Sequence, residues 1–137
     1  MKIRSFLVII FLLAAFAGIS QKTSPLVGTW KQISGTMTYA GTTTTDDMTK
    51  TEAMKIVTPT HFAVFSKDKT TGDIGHAGAG TIKVDGNIYT EIIMYATGTG
   101  NKYPTIAKFT YELNGDKWHI KGGYDDLVFD EVWQKMK

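Results

Sequence analysis

The sequence predicts an all-β protein, an antiparallel up-and-down barrel of about eight strands. Three observations carry that expectation. Short runs beyond residue 20 alternate between apolar and polar residues, and no helical period replaces the alternation. Two turn pairs, Asp85-Gly86 and Asn114-Gly115, each sit between such runs and supply the positive φ that a tight hairpin needs. The other connections are short, so neighbours in sequence pair antiparallel, and closing the sheet on itself removes its exposed edges.

In chain order, Pro25 biases Ser24 toward extended backbone. Gly28 permits a bend or a close backbone approach. Trp30 opens the first strand, residues 30–39. An indole this early suits a plug for one end of a core, with its N–H meeting a nearby carbonyl. Trp30, Gln32, Ser34 and Thr36 fall on one face, and Lys31, Ile33, Gly35 and Met37 on the other. Neither face is cleanly apolar, which suits a barrel with a partly wet interior. Residues 40–50 are polar and read as a loop or one short helical turn capped by Asp46 or Asp47 and running through Met48 and Glu52. Residues 54–58 and 61–66 read as strands around Pro59, which cannot donate a ladder hydrogen bond. Gly75, Gly78 and Gly80 allow sharp coiling where a barrel closes. Residues 80–84 and 88–96 flank the first hairpin turn, and residues 107–113 and 117–121 flank the second. Residues 97–104 form a Gly-rich loop, residues 122–126 a turn, and residues 128–136 the last strand.

Leu26-Val27-Gly28-Thr29-Trp30-Lys31 resembles the opening of the calycin group: lipocalins, fatty-acid-binding proteins and bacterial lipocalin-like domains. In that group a Gly-x-Trp lies on the first strand and its Trp closes the barrel base, a role the resemblance assigns to Gly28 and Trp30. Glu131-Val132-Trp133-Gln134-Lys135-Met136 is similar to the last strand of fatty-acid-binding proteins. The stretch from Gly86 to Tyr95, with later Gly-Asp turns and a terminal Trp, resembles small secreted lipocalin-like domains of Bacteroidetes. The resemblance implies a lipocalin-like barrel. The chain departs from it in one respect. Where fatty-acid-binding proteins hold a ligand carboxylate with an Arg-x-Tyr pair on the last strand, this chain has Glu131 and Trp133. The charge is reversed, so a fatty-acid clamp is not implied. Its only arginine, Arg4, lies in the leader.

Residues 1–20 read as a signal peptide. Lys2 and Arg4 provide the basic start, Phe6 to Phe16 the apolar run, and Gly18 and Ser20 the small residues before a cut ahead of Gln21. Residues 21–137 then make one lipocalin-like domain, large enough for a real core. The expected location is periplasmic or secreted, with no stable membrane span after cleavage. The absence of cysteine excludes both a lipoprotein anchor and a disulfide staple. The chain has 15 basic and 13 acidic residues; loss of Lys2 and Arg4 leaves 13 of each. Such a balance gives no support to a nucleic-acid partner.

His61, His76 and His119 show no metal-ligand spacing, and the acids of residues 125–130 lack the spacing and closing Glu of the helical calcium loop. There is no Gly-x-Ser-x-Gly elbow, no cysteine nucleophile and no phosphate-cradling glycine motif. The expectation is therefore a non-enzyme without cofactor, metal or catalytic residues. The candidate ligand pocket is Tyr89, Glu91, Tyr95, His119 and Trp133. Tyr89, Glu91 and Tyr95 share a strand face by the period of two; the alternative interior face is Thr90, Ile92, Met94 and Ala96. Trp133 follows from the resemblance, and His119 competes with the adjacent Trp118 for the inward side. An inward Glu91 needs a donor partner. If it lines a working pocket, Glu91→Gln is expected to change affinity more than folding. The function expected is an exported binding protein that holds a small, partly apolar or amphipathic ligand. The alternative is a cell-envelope structural or protein-interaction module with a filled barrel. Interior volume separates the two, because a packed core leaves few voids larger than water whereas a ligand site is a cavity of hundreds of Å³.

Overall fold

A computed structural model describes residues 23–98 and 102–137. The leader and its cut ahead of Gln21 lie outside those residues, as does part of the Gly-rich loop. The strands are β1 (Gly28–Tyr39), β2 (Thr42–Thr45), β3 (Thr51–Val57), β4 (His61–Asp68), β5 (Ile74–Asp85), β6 (Ile88–Ala96), β7 (Thr105–Asn114), β8 (Lys117–Tyr124) and β9 (Leu127–Lys135). Every pairing is antiparallel, and β9 returns to pair with β1. Thus β1 and β3–β9 close an eight-stranded up-and-down barrel. β1 is shared along its length: residues 28–31 pair with β3, and residues 36–39 pair with the short β2.

β2 replaces the expected loop or helical turn. Thr42–Thr45 is a β-branched run, which favours extended backbone even though all four residues are exposed. Ala40 and Gly41 both have positive φ, the backbone of a two-residue hairpin whose twist matches its strands. A second departure is the β8–β9 connection. β8 continues to Tyr124, and the turn is only Asp125-Asp126, with Asp125 in the left-handed region. β5 also runs through its three glycines instead of beginning at Gly80. At Gly80 the backbone of Ile92 on β6 occupies the space a Cβ would need, so the glycine lets the two strands approach closely.

Two bulges decide which side chains enter the barrel. On β1, Gln32 pairs with Trp133 but Ser34 pairs with Val132, so Ile33 is an extra residue. Beyond it Gly35 and Met37 take the inward side, where unbroken alternation from Trp30 would put Ser34 and Thr36. On β6, Ile93 pairs with Gly80 and Tyr95 with Ala79, so Met94 is the extra residue. Each inserted residue flips the alternation for the rest of its strand.

One end of the barrel is filled. Trp30, Tyr89, Trp118 and Leu26 are fully buried there, with Val57, Phe109, Ile120 and Trp133 packed around them. Trp30 and Trp118 lie 5.2 Å apart between ring centroids, and Tyr89 meets Trp118 edge-on at 5.0 Å. Trp30 Nε1 donates to the Leu26 carbonyl at 2.8 Å, which ties the segment before β1 to the core. Gly28 leaves room for the Lys135 side chain, whose Nζ lies 5.2 Å from the Trp30 ring centroid and donates to the Pro25 carbonyl. The Gly28/Trp30 pair thus sits where the resemblance places a barrel base.

Candidate interior site

Above the aromatic base the barrel is hollow. The cavity measures about 430 Å³ and extends toward the end that carries the β2–β3, β4–β5, β6–β7 and β8–β9 connections. Phe62, Val64, Ile93, Phe109 and Phe129 supply its apolar wall. Its polar groups are unevenly placed, and their origin in the strands is simple. Lys55, Glu91 and Glu131 occupy inward positions on β3, β6 and β9, in the same rows as Val57, Tyr89 and Trp133.

Lys55 and Glu91 form the floor. Both are buried, and Lys55 Nζ donates to Glu91 Oε1 at 2.8 Å. The ammonium also lies 5.0 Å from the Trp133 ring centroid, 5.5 Å from Trp118, 5.8 Å from Tyr89 and 5.9 Å from Phe109. Four π-faces and one carboxylate therefore replace the water that Lys55 loses on burial. Lys55 is the residue that sequence reasoning missed. Its partner is 36 residues away, and the only local signal was its position in phase with Ala53 and Val57. The Tyr89 hydroxyl lies near enough to Glu91 to feel its charge but makes no hydrogen bond of proper geometry. Burial first, and then Glu91, push its pKa far above the usual tyrosine range, so it remains protonated. Trp118 Nε1 is likewise buried without a partner.

Glu131 is the second interior carboxyl. It is partly buried and accepts a hydrogen bond from Trp133 Nε1 at 2.9 Å. Desolvation raises its pKa; Lys55 and the Trp133 bond pull it down, while Glu91 and Asp46 push it further up. Asp46 follows β2 and accepts from Gln32 Nε2 at 2.7 Å. That bond occupies the space above Gly35, where a side chain would collide with both partners, and Gly35 pairs across the sheet with Glu131. Gly35 thus lets Asp46 approach the Glu131 position. His76 lies on the wall near the opening, and burial holds its imidazole below the usual value, more than Glu91 raises it.

Of the five predicted pocket residues, Tyr89, Glu91 and Trp133 point inward, Tyr89 into the base and the other two at the cavity. Tyr95 and His119 do not join them. Tyr95 is 73% exposed, because the bulge at Met94 turns it outward. His119 faces out because the adjacent Trp118 takes the inward side; its Nε2 meets Asp130 Oδ1 at 2.7 Å. That bond, with Lys121 at 3.0 Å, holds the half-buried Asp130 carboxyl below its usual range. Glu91 is also more than a pocket polar group. Its bond to a buried ammonium gives its replacement an expected cost in folding, beside the effect on affinity that a pocket position implies. Among the described residues no group of three or more His, Asp or Glu side chains is arranged to hold a metal ion.

The raised pKa of Glu131 has a consequence for stability. The folded state prefers the protonated carboxyl, so this group's contribution is most favourable below its unfolded value of about 4.5 and is lost as pH rises through the folded pKa. Glu131→Gln removes that loss while keeping an oxygen to accept from Trp133. Its melting temperature should therefore exceed the parent's at pH 7, with the difference vanishing as pH falls below that window. Paired thermal melts across pH check this; an unchanged difference at every pH would contradict it.

No protein-family model matches the chain, and no curated protein sequence matches it.

Proposed function

We propose that the protein is an exported, non-catalytic binding protein of lipocalin-like type that carries a small ligand with an apolar body and a donor-bearing polar end. The observation that carries this reading is the cavity itself. About 430 Å³ lies within the range of small-molecule sites, and a packed core would leave no such space. Its apolar wall suits an aliphatic or aromatic body. Its side offers Glu131 and Asp46 as acceptors, so a hydrogen-bond donor on the ligand meets partners that a carboxylate would not. Export rests on the leader reading, and membership of the calycin group on the barrel topology together with the Gly28/Trp30 and Glu131–Met136 resemblances.

A neutral apolar dye, N-phenyl-1-naphthylamine, tests the binding reading on the folded protein. Saturable one-to-one binding with quenching of indole emission is the expected outcome, because Trp133 lines the cavity. Fluorescence titration checks it. A linear, non-saturating response equal to that of an unrelated compact protein would favour the filled structural barrel instead.

A further inference from the structure

The interior charges do not balance. Lys55 pairs with Glu91, and among the described residues neither Glu131 nor Asp46 has an ion-pair partner. Both line the same cavity, and the Asp46 charge acts on Glu131. Each carboxylate keeps one neutral donor, the Trp133 indole for Glu131 and the Gln32 amide for Asp46. One amide or indole donor leaves most of a carboxylate's acceptor capacity unused. The site also shows what it accommodates, since its aromatic faces already surround one ammonium, that of Lys55.

We propose that the ligand class of this barrel is a primary amine with an apolar tail, whose ammonium end is held beside Glu131 and Asp46 and whose tail lies along Phe62, Val64 and Phe129. This rests on the binding reading above and narrows it to one chemistry. An ammonium carries three donors and a positive charge, which matches two under-used carboxylates. A carboxylate ligand of the same shape adds a third negative charge beside them. An alcohol satisfies one acceptor and neutralises none. Glu91 is not the recognition group, because Lys55 already occupies it.

The test compares octylamine, 1-octanol and octanoate, matched in tail length, by isothermal titration calorimetry on the whole folded protein below their aggregation concentrations. Octylamine should bind about tenfold tighter than 1-octanol, as expected for a charge-assisted contact over a neutral one, and octanoate weakest. Glu131→Gln should remove most of that amine preference, because octylamine loses far more affinity than 1-octanol does. Asp46→Asn, which still accepts from Gln32, should reduce it as well. If 1-octanol binds as tightly as octylamine, the ammonium assignment fails while the binding reading stands. The assignment also fails if octylamine keeps its preference in both variants. If none of the three binds, the binding reading fails and this inference falls with it.

Discussion

Glu91→Gln should destabilise the barrel by about 3–5 kcal/mol, the cost of stranding a buried charge when its partner is removed. Lys55 stays in place, 3% exposed, among rings that cannot supply a counter-charge. Glu131 lines the same cavity and feels the Lys55 charge, but it makes no ion pair with Lys55 and already receives the Trp133 bond. Replacing both partners by apolar residues is different. The double variant Lys55→Met, Glu91→Leu removes both charges and leaves methylenes against the same aromatic faces, so it should recover most of the loss. Urea denaturation of the parent, the two single variants and the double variant measures the coupling. Single variants within about 1 kcal/mol of the parent, the scale of an exposed pair, would show that the ion pair is solvated and that the floor is open to water.

Trp30→Ala should cost a similar amount, about 3–5 kcal/mol, for a different reason. The indole is fully buried, packs on Trp118, and holds the Leu26 carbonyl. Its loss empties the centre of the base and leaves that carbonyl without its partner. Trp30→Phe keeps a ring and should lose less, with the hydrogen bond as the main deficit. Trp30 does not line the cavity. Any Trp30 variant that remains folded should therefore bind the neutral dye with the parent's affinity, so that calorimetric melting and dye titration move independently. A parallel loss of both would mean that base and cavity form one unit.

The barrel was legible because its cues are local. Asp85-Gly86 and Asn114-Gly115 mark hairpins by the backbone that glycine allows; in the structure Asp85 and Asn114 end their strands, and the two-residue turns are Gly86-Asn87 and Gly115-Asp116, each with its glycine at positive φ. Trp30 was legible as a base plug because a large indole near the first strand has few other places to go. What was not legible depends on register or on distance. The bulges at Ile33 and Met94 carry no residue signature, yet they decide that Gly35 and Met37 enter the barrel and that Tyr95 leaves it. β2 has no apolar face, so period-two reading passed over four threonines whose β-branching alone pointed to a strand. Lys55 looks like a surface lysine until Glu91, from a strand three places further along the chain, is set against it. Glu131 was singled out only through the resemblance of the last strand to that of fatty-acid-binding proteins, which carry the opposite charge there. Its role as an under-neutralised interior acid comes from its neighbours Asp46 and Glu91, which the fold brings near.

The proposed function requires that the hollow upper half of the barrel take up a ligand. The most direct measurement is a two-dimensional amide and indole NMR titration of the folded protein with the neutral dye. Inward residues of the cavity and outward residues of the neighbouring surface are interleaved on the same strands, so the shifted signals identify the face. Saturable shifts centred on Ile93, Ala107 and the Trp133 indole N–H, which line the cavity, are the expected result. Shifts centred instead on Tyr95 and Ile106, the exposed apolar residues of β6 and β7, or no saturable shift at all, would contradict it.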